Sequence, residues 1–337
     1  MTAPLAAMQA RPLNVVVCGS NYGRAYFDAV ELAPQEFFVA GLVARGSARS
    51  RQLAFARDLP LFMSVQELPE GIDLVCAALG RNASDVVLEL LRRGLPVLCE
   101  HPQRPAFLKQ AFQISAAHGI PFHINGHFAA LPAAGNFIRE ARRRREAAEP
   151  VFLAAMLTDR SLYGFIDILR RALDRLEPCL LQLIGRSGPF QTLEGSIRGI
   201  PVTLQVQRSV TGPETSDILP DADKAYLVEQ RIELGFAAGV LSQLSIAGPV
   251  FWNANYHAGM DPNQPLGSPL YLKGGLSAQS FQQERAAANL HSMRALAAQA
   301  RGGETASEQT AEHILEVSHT AEAIGEILRM QDRPEEA

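Results

Sequence analysis

Apolar positions follow two different rhythms along this chain. Up to residue 126 they gather in short unbroken runs: LNVVVCG (13–19), EFFVAGLVA (36–44), LFM (61–63), IDLVCAAL (72–79), GLPVLC (94–99) and PFHING (121–126). Runs that are apolar on both faces, without the alternation of a half-solvated sheet, predict buried parallel strands. Between them lie segments with helical spacing, among them SRQLAFARDL, SDVVLELLRRG (84–94) and AFLKQAFQISAAHG. Strand and helix in strict alternation predict a doubly wound α/β domain over residues 1–150.

After residue 150 the rhythm changes. PVFLAAMLTD, LLQLIGRSGPFQTLEGSI, IPVTLQVQRSV, YLVEQRIELGF, GVLSQLSIAG and PVFWNANYH follow one another across Gly, Pro and Asn turns, with one helix ahead of most of them at 161–177. This predicts an α+β domain over 151–337 built on a mainly antiparallel open sheet. A final helix over 306–328 carries an apolar stripe of Ile314, Leu315, Val317, Ala321, Ile324 and Ile327 and is expected to pack back on the first domain. Two domains suit 337 residues, since single cores stop growing near roughly 250–300 residues. An uncovered sheet face or edge needs a partner, so a homodimer is expected.

Composition narrows the function classes. A net charge of −4 argues against nucleic acid as the ligand, which needs clustered excess positive charge. The first residues lack a secretory signal, and no run approaches the length of a membrane span, so a cytoplasmic protein without membrane contact is expected. Cys18, Cys76, Cys99 and Cys179 lie far apart with no metal-site spacing and read as small buried hydrophobes.

The chemistry starts at the first strand-to-helix turn. In VVVCGSNYGRAY, Gly19, Ser20, Asn21, Tyr22 and Gly23 occupy the place where a dinucleotide-binding, Rossmann-type fold cradles pyrophosphate on free backbone N–H groups. The motif is shortened to G-x-N-x-G, with asparagine as the residue that best tolerates positive φ. Alone it is an ordinary turn; the repeating strand–helix units around it give it weight. No acid lies between Val43 and Gln52 to bind a ribose 2′-hydroxyl. Instead Arg45, Gly46, Ser47, Arg49, Ser50 and Arg51 offer guanidinium forks and hydroxyls suited to a 2′-phosphate, which predicts NADPH rather than NADH.

Ligands of such sheets lie outside the carboxyl ends of the strands, with the nicotinamide near strands four to six. Leu79, Gly80 and Asn82 follow the fourth strand, Glu100, His101 and Pro102 the fifth, and His127 the sixth, which predicts all of them near the cofactor. The layout resembles the Gfo/Idh/MocA oxidoreductases, in which a strand ending in EKP presents a lysine for proton transfer; here it reads Glu100-His101-Pro102. With GSARSR (46–51), TDRSLYGFIDILRRAL (158–173) and GPVFW (248–252), it is similar to a narrower branch, the thiazolinyl imine reductases of siderophore biosynthesis.

That resemblance implies NADPH-dependent reduction of a thiazoline C=N bond in a pyochelin- or yersiniabactin-type precursor. The substrate would be tethered by phosphopantetheine to a nonribosomal peptide synthetase carrier domain. His101 carries over as proton donor, while the family's tyrosine falls on Phe128, which has no proton to give. His127 is then the second candidate. Tyr163 is either a residue facing the site or an ordinary half-buried helix tyrosine, and Asp167, one turn on, fits a substrate- or histidine-orienting role. The run REARRRREAAEP (139–150) is a solvated helix face or a docking patch for an acidic carrier. The rivals are a sugar or polyol dehydrogenase of the broader family and a non-catalytic NADP-binding sensor or scaffold.

Overall fold

The computed structural model describes residues 11–80, 84–207, 229–257, 261–263 and 265–330. Two compact units emerge: residues up to Asn125 with Ala286–Thr305, and Gly126–Arg285 with the stretch from Ala306 onward.

The first unit runs β1 (Leu13–Cys18), α1 (Arg24–Glu31), β2 (Phe37–Val43), α2 (Ala48–Ala56), β3 (Leu61–Phe62), β4 (Leu74–Ala77), α3 (Ser84–Arg92), β5 (Val97–Cys99), α4 (Pro105–His118) and β6 (Phe122–Ile124). Its six strands are all parallel, in the order β3-β2-β1-β4-β5-β6. This is the doubly wound arrangement expected from the apolar runs, with its switch point beside β1. The runs are continuous because both faces are covered: Val15, Val16, Val17 and Cys18 on β1 and all of β4 have no solvent exposure. Fully burying each valine or leucine among them contributes roughly 1.5–3 kcal/mol. Burial also pushes the Cys18 thiol up to about 12, so it packs as a neutral hydrophobe.

The second unit continues with α5 (His127–Ala130), α6 (Pro132–Arg145), β7 (Phe152–Thr158), α7 (Leu162–Leu173), β8 (Cys179–Ser187), β9 (Phe190–Ile197), β10 (Ile200–Gln207), β11 (Gln230–Phe236), β12 (Gly239–Gln243), β13 (Val250–Ala254), β14 (Gly267–Tyr271), the start of α8 (Ala278–Ala300) up to Arg285, and α9 (Ala311–Met330). Its eight-stranded sheet has the order β14-β13-β12-β11-β7-β10-β9-β8. Every pairing is antiparallel except β7 with β10.

The division falls at Asn125/Gly126 rather than near residue 150, because Ala133, Ala134, Phe137, Ile138 and Ala141 of α6 are buried and the helix packs on α7. The segment that rejoins the first unit is 286–305, most of it from α8, and not the final helix. Leu290, Met293, Leu296 and Ala297 of α8 enter the first core beside Val15, Phe27 and Leu98. The predicted stripe of α9 is real, with Ile314, Val317, Ala321 and Ile324 buried, but it belongs to the second unit. No helix among the described residues is long and apolar enough to cross a membrane.

Candidate functional site

The carboxyl ends of β1, β2, β4, β5 and β6 converge in the first unit. At the end of β1, Gly19 has φ +99, and a Cβ there would lie 2.3 Å from the Ala78 carbonyl oxygen. A Cβ on Gly23 would lie 2.0 Å from the Gly19 carbonyl oxygen. Only glycine permits this turn, and α1 starts directly after it. Among the described residues the N–H groups of Ser20, Asn21 and Gly23 donate to no backbone carbonyl, which leaves the donors that an anion at a helix N-terminus takes. The turn therefore fits a pyrophosphate. Asn21 is not among the residues with positive φ, so the asparagine replaces a glycine without needing its conformational freedom.

At the end of β2, Arg45, Arg49 and Arg51 are exposed, and no carboxylate among the described residues pairs with them. Gly46 takes φ +69 with the Met63 side chain packed against it. The two serines are committed locally. The Ser47 hydroxyl caps α2 by accepting from the Ser50 N–H at 3.2 Å, and the buried Ser50 hydroxyl donates to the Ser47 carbonyl at 2.9 Å. The expectation that the Ser50 hydroxyl offers itself to a phosphate is corrected accordingly, and the arginines remain as the donors.

Beyond β4 come Leu79 and Gly80, the latter with φ +60; Asn82 lies outside the described residues. Beyond β5, Glu100 donates its N–H to the Ala77 carbonyl, and buried Gln103 donates to the carbonyls of Glu100 (2.7 Å) and Gly80 (3.0 Å). This stitches the Glu100-His101-Pro102 loop to the loop after β4. Both ring nitrogens of His101 are withdrawn from solvent.

The Glu100 side chain turns inward, 6% exposed. Its Oε1 accepts from the Tyr26 hydroxyl and from Asn125 Nδ2 at 2.6 Å. Asn125 also donates to Asn289 Oδ1 on α8 at 2.7 Å. Burial and the Glu100 charge hold the Tyr26 hydroxyl well above its ordinary value, and do the same for the thiols of Cys76 and Cys99. Glu100 was expected to touch cofactor; its carboxylate is instead the centre of this buried network. Tyr26, Gln103, Asn125 and Asn289 were not anticipated. The available signals were a tyrosine three residues past Gly23 and a lone asparagine in the alanine-rich RAAANLHSM.

Comparison with known proteins places this geometry. Residues 13–125 match a family model described as an oxidoreductase family with an NAD-binding Rossmann fold. This segment is similar to the nucleotide-binding domain of the Gfo/Idh/MocA oxidoreductases. The cofactor of a Gfo/Idh/MocA domain is a pyridine nucleotide, NAD(P), in keeping with the glycine turn above. No curated protein sequence matches the chain.

Solved structures of similar fold extend over nearly the whole chain. An Agrobacterium radiobacter oxidoreductase in complex with NAD+, L-tartaric acid and magnesium is 13% identical, with TM-score 0.69, covering 95% of this chain and 97% of that one. A UDP-N-acetylglucosamine 3-dehydrogenase from Acidithiobacillus ferrooxidans is 16% identical, with TM-score 0.66, covering 93% and 96%. A 3-ketoreductase from Actinomadura kijaniata in complex with TDP-benzene and NADP is 18% identical, with TM-score 0.67, covering 93% and 96%. At such identities these likenesses show the fold.

The second unit holds the remaining predicted residues. His127 opens α5, buried at 2%, with its ring 4.3 Å from that of Phe128. Phe128 packs on α7, where a Cβ on Gly164 would lie 2.7 Å from its ring. Tyr163 is buried at 4%, not half-buried. Asp167 does meet a histidine, but it is His313 of α9: Asp167 Oδ1 lies 2.8 Å from His313 Nε2 and accepts from Arg171 Nε at 3.0 Å. Burial alone would push this carboxyl up; the Arg171 charge and the His313 hydrogen bond outweigh it and hold it at about 2. The cluster ties α7 to α9 and has the character of a structural ion pair. The arginine run is also largely committed, with Arg144 on the Trp252 ring and on Glu140, and Arg145 on Asp174 and Glu149.

Proposed function

We propose that this chain is an NADPH-dependent imine reductase that converts a thiazoline C=N bond to a thiazolidine in a carrier-tethered siderophore precursor. One observation carries the choice. The carboxyl end of β5 offers an imidazole, His101, in a loop anchored by Gln103 and Glu100, where the resemblance implies a lysine in the sugar-directed relatives. The Gly19–Gly23 turn with Arg45, Arg49 and Arg51 would hold the dinucleotide, and the bound nicotinamide supplies a hydride to the imine carbon. The rest falls to this chain's own side chains. Adding hydride to carbon places the C=N π pair on nitrogen, and a proton from His101 completes the amine N–H. Imidazole titrates near about 6.5 and surrenders a proton at neutral pH, whereas lysine near about 10.4 holds it. A positioned acid of this kind contributes roughly 10²–10⁴-fold. His127 is the second candidate donor, since Phe128 has no hydroxyl.

The reading brings two partners with it. One is the acidic carrier domain that presents the substrate. The other is a second copy of the chain on the outer face of the eight-stranded sheet, where Phe152, Leu180 and Ile184 are exposed. A second reading, reduction of a sugar ketone, is favoured by the nucleotide-sugar enzymes among the structural relatives.

The test is loss of NADPH absorbance with a synthetic thiazoline against a keto-sugar nucleotide. Turnover of the thiazoline is expected, and His101→Ala should lower it by about 10²-fold or more while NADPH affinity is kept. Turnover of the keto sugar alone replaces the first reading by the second.

A further inference from the structure

The first unit carries a polar chain that the glycine turn and the arginine cluster do not use. Glu100, Tyr26, Asn125 and Asn289 join α1, the ends of β5 and β6, and α8, and all four are buried. A buried polar group left without its partner destabilises the fold, and replacing a satisfied polar set by apolar packing is often neutral or better. Stability alone therefore gives no reason for four such groups at this spot. Their position does. A ring nitrogen of His101 lies within 4.8 Å of a Glu100 carboxylate oxygen. Two donors on Oε1 favour the charged carboxylate. Tyr26, Cys76 and Cys99, the titratable groups that feel Glu100 from α1, β4 and β5, stay protonated and neutral. Glu100 thus accepts from the neutral Tyr26 hydroxyl and Asn125 amide, and a His101 ring nitrogen lies beside it.

We propose that Glu100 is a positioning residue, an anion held by Tyr26 and by Asn125, itself bonded to Asn289, which holds His101 as imidazolium and fixes its ring until the proton is passed on. The inference rests on the reading of His101 as proton donor. It gives α8 a part in the chemistry through Asn289, although that residue lies 164 residues beyond Asn125.

The experiment is a histidine ring titration by NMR on the full chain. The His101 signal is identified by its loss in His101→Ala, and the exposed His118 and His291 serve as references. Glu100→Gln should lower the His101 midpoint by about one pH unit or more, the effect of removing an opposite charge at this range. Tyr26→Phe and Asn289→Leu, which alter the donors on Glu100, should move it by less, and shift the pH profile of kcat with it while the KM for NADPH stays put. Tyr26→Phe is nearly isosteric and carries the test should Glu100→Gln fail to fold. A His101 midpoint unmoved in these variants overturns the proposal, even if their activity or melting temperature falls. The titration needs no substrate, so a moved midpoint without thiazoline turnover sinks the imine-reductase reading and leaves the clamp in place.

Discussion

The two units treat charge in opposite ways. The second neutralises its charges internally: Arg171 with Asp167 and Glu308, Arg170 with Glu316, Arg198 with Glu149, Arg145 with Asp174. The first has ion pairs too, Arg11–Asp73, Arg57–Glu31 and Arg294–Glu36, but their acids precede β4, end α1 and precede β2. That is the amino end of a parallel sheet. At its carboxyl end Glu100 is held by neutral donors, and Arg45, Arg49 and Arg51 meet no carboxylate among the described residues. Charge balanced inside the fold holds helices together; the exposed arginines that follow β2 are left free to meet an anion.

The largest expected effect comes from breaking the balanced side. Asp167→Ala leaves His313 without this acceptor and Arg171 with Glu308 alone, at side chains 5% and 14% exposed. Removing one partner of a buried pair costs about 3–5 kcal/mol. Denaturant unfolding should show this loss, with Asp167→Asn, which keeps an acceptor oxygen, falling between the variant and the parent. A loss below about 1 kcal/mol would mean that α7 and α9 are held by apolar packing alone.

Part of this contrast was legible in the sequence. The runs that became β1, β4 and β5 are unbroken because a sheet covered on both faces demands it, and the glycines of the first turn announce themselves by steric need. Asp167 stood out as an acid on an apolar helix. Its partner did not, since His313 lies 146 residues away and no local periodicity joins them. Asn125 and Asn289, 164 residues apart, were hidden for the same reason. The helix α8 itself was missed because its buried face relies on alanine, with Ala286, Ala288 and Ala297 beside Leu290 and Met293, and gives little apolar contrast. The unit boundary was misplaced because nothing in composition changes where β6 ends and α5 begins.

Acid sharpens the comparison at a smaller scale. The Asp167 carboxyl titrates at about 2 in the fold against 3.8 as its ordinary value. The folded state thus resists protonation there more than the unfolded chain does. Its stabilising contribution is complete above the unfolded value and is lost as the pH falls through about 4 toward 2. The difference corresponds to about 2 kcal/mol. Thermal melts of the parent and of Asp167→Asn should therefore draw together as the pH drops across that window. Curves that stay parallel down to about pH 2 would show that Asp167 titrates in the fold as it does in the unfolded chain.

The smallest effect probes the unbalanced side. Arg45, Arg49 and Arg51 stabilise nothing within the described fold, so replacing any one by alanine should leave unfolding within about 0.5 kcal/mol of the parent. Each exposed guanidinium–phosphate contact is worth about 1 kcal/mol, or roughly fivefold in Kd. NADPH should therefore bind roughly fivefold more weakly to Arg49→Ala or Arg51→Ala, with NADH binding unchanged, because only NADPH carries the 2′-phosphate. Fluorescence titration with both dinucleotides separates the outcomes. Equal weakening for the two would assign the arginines to the shared pyrophosphate. No weakening for either would return them to solvent and leave the glycine turn as the sole recognition of the dinucleotide.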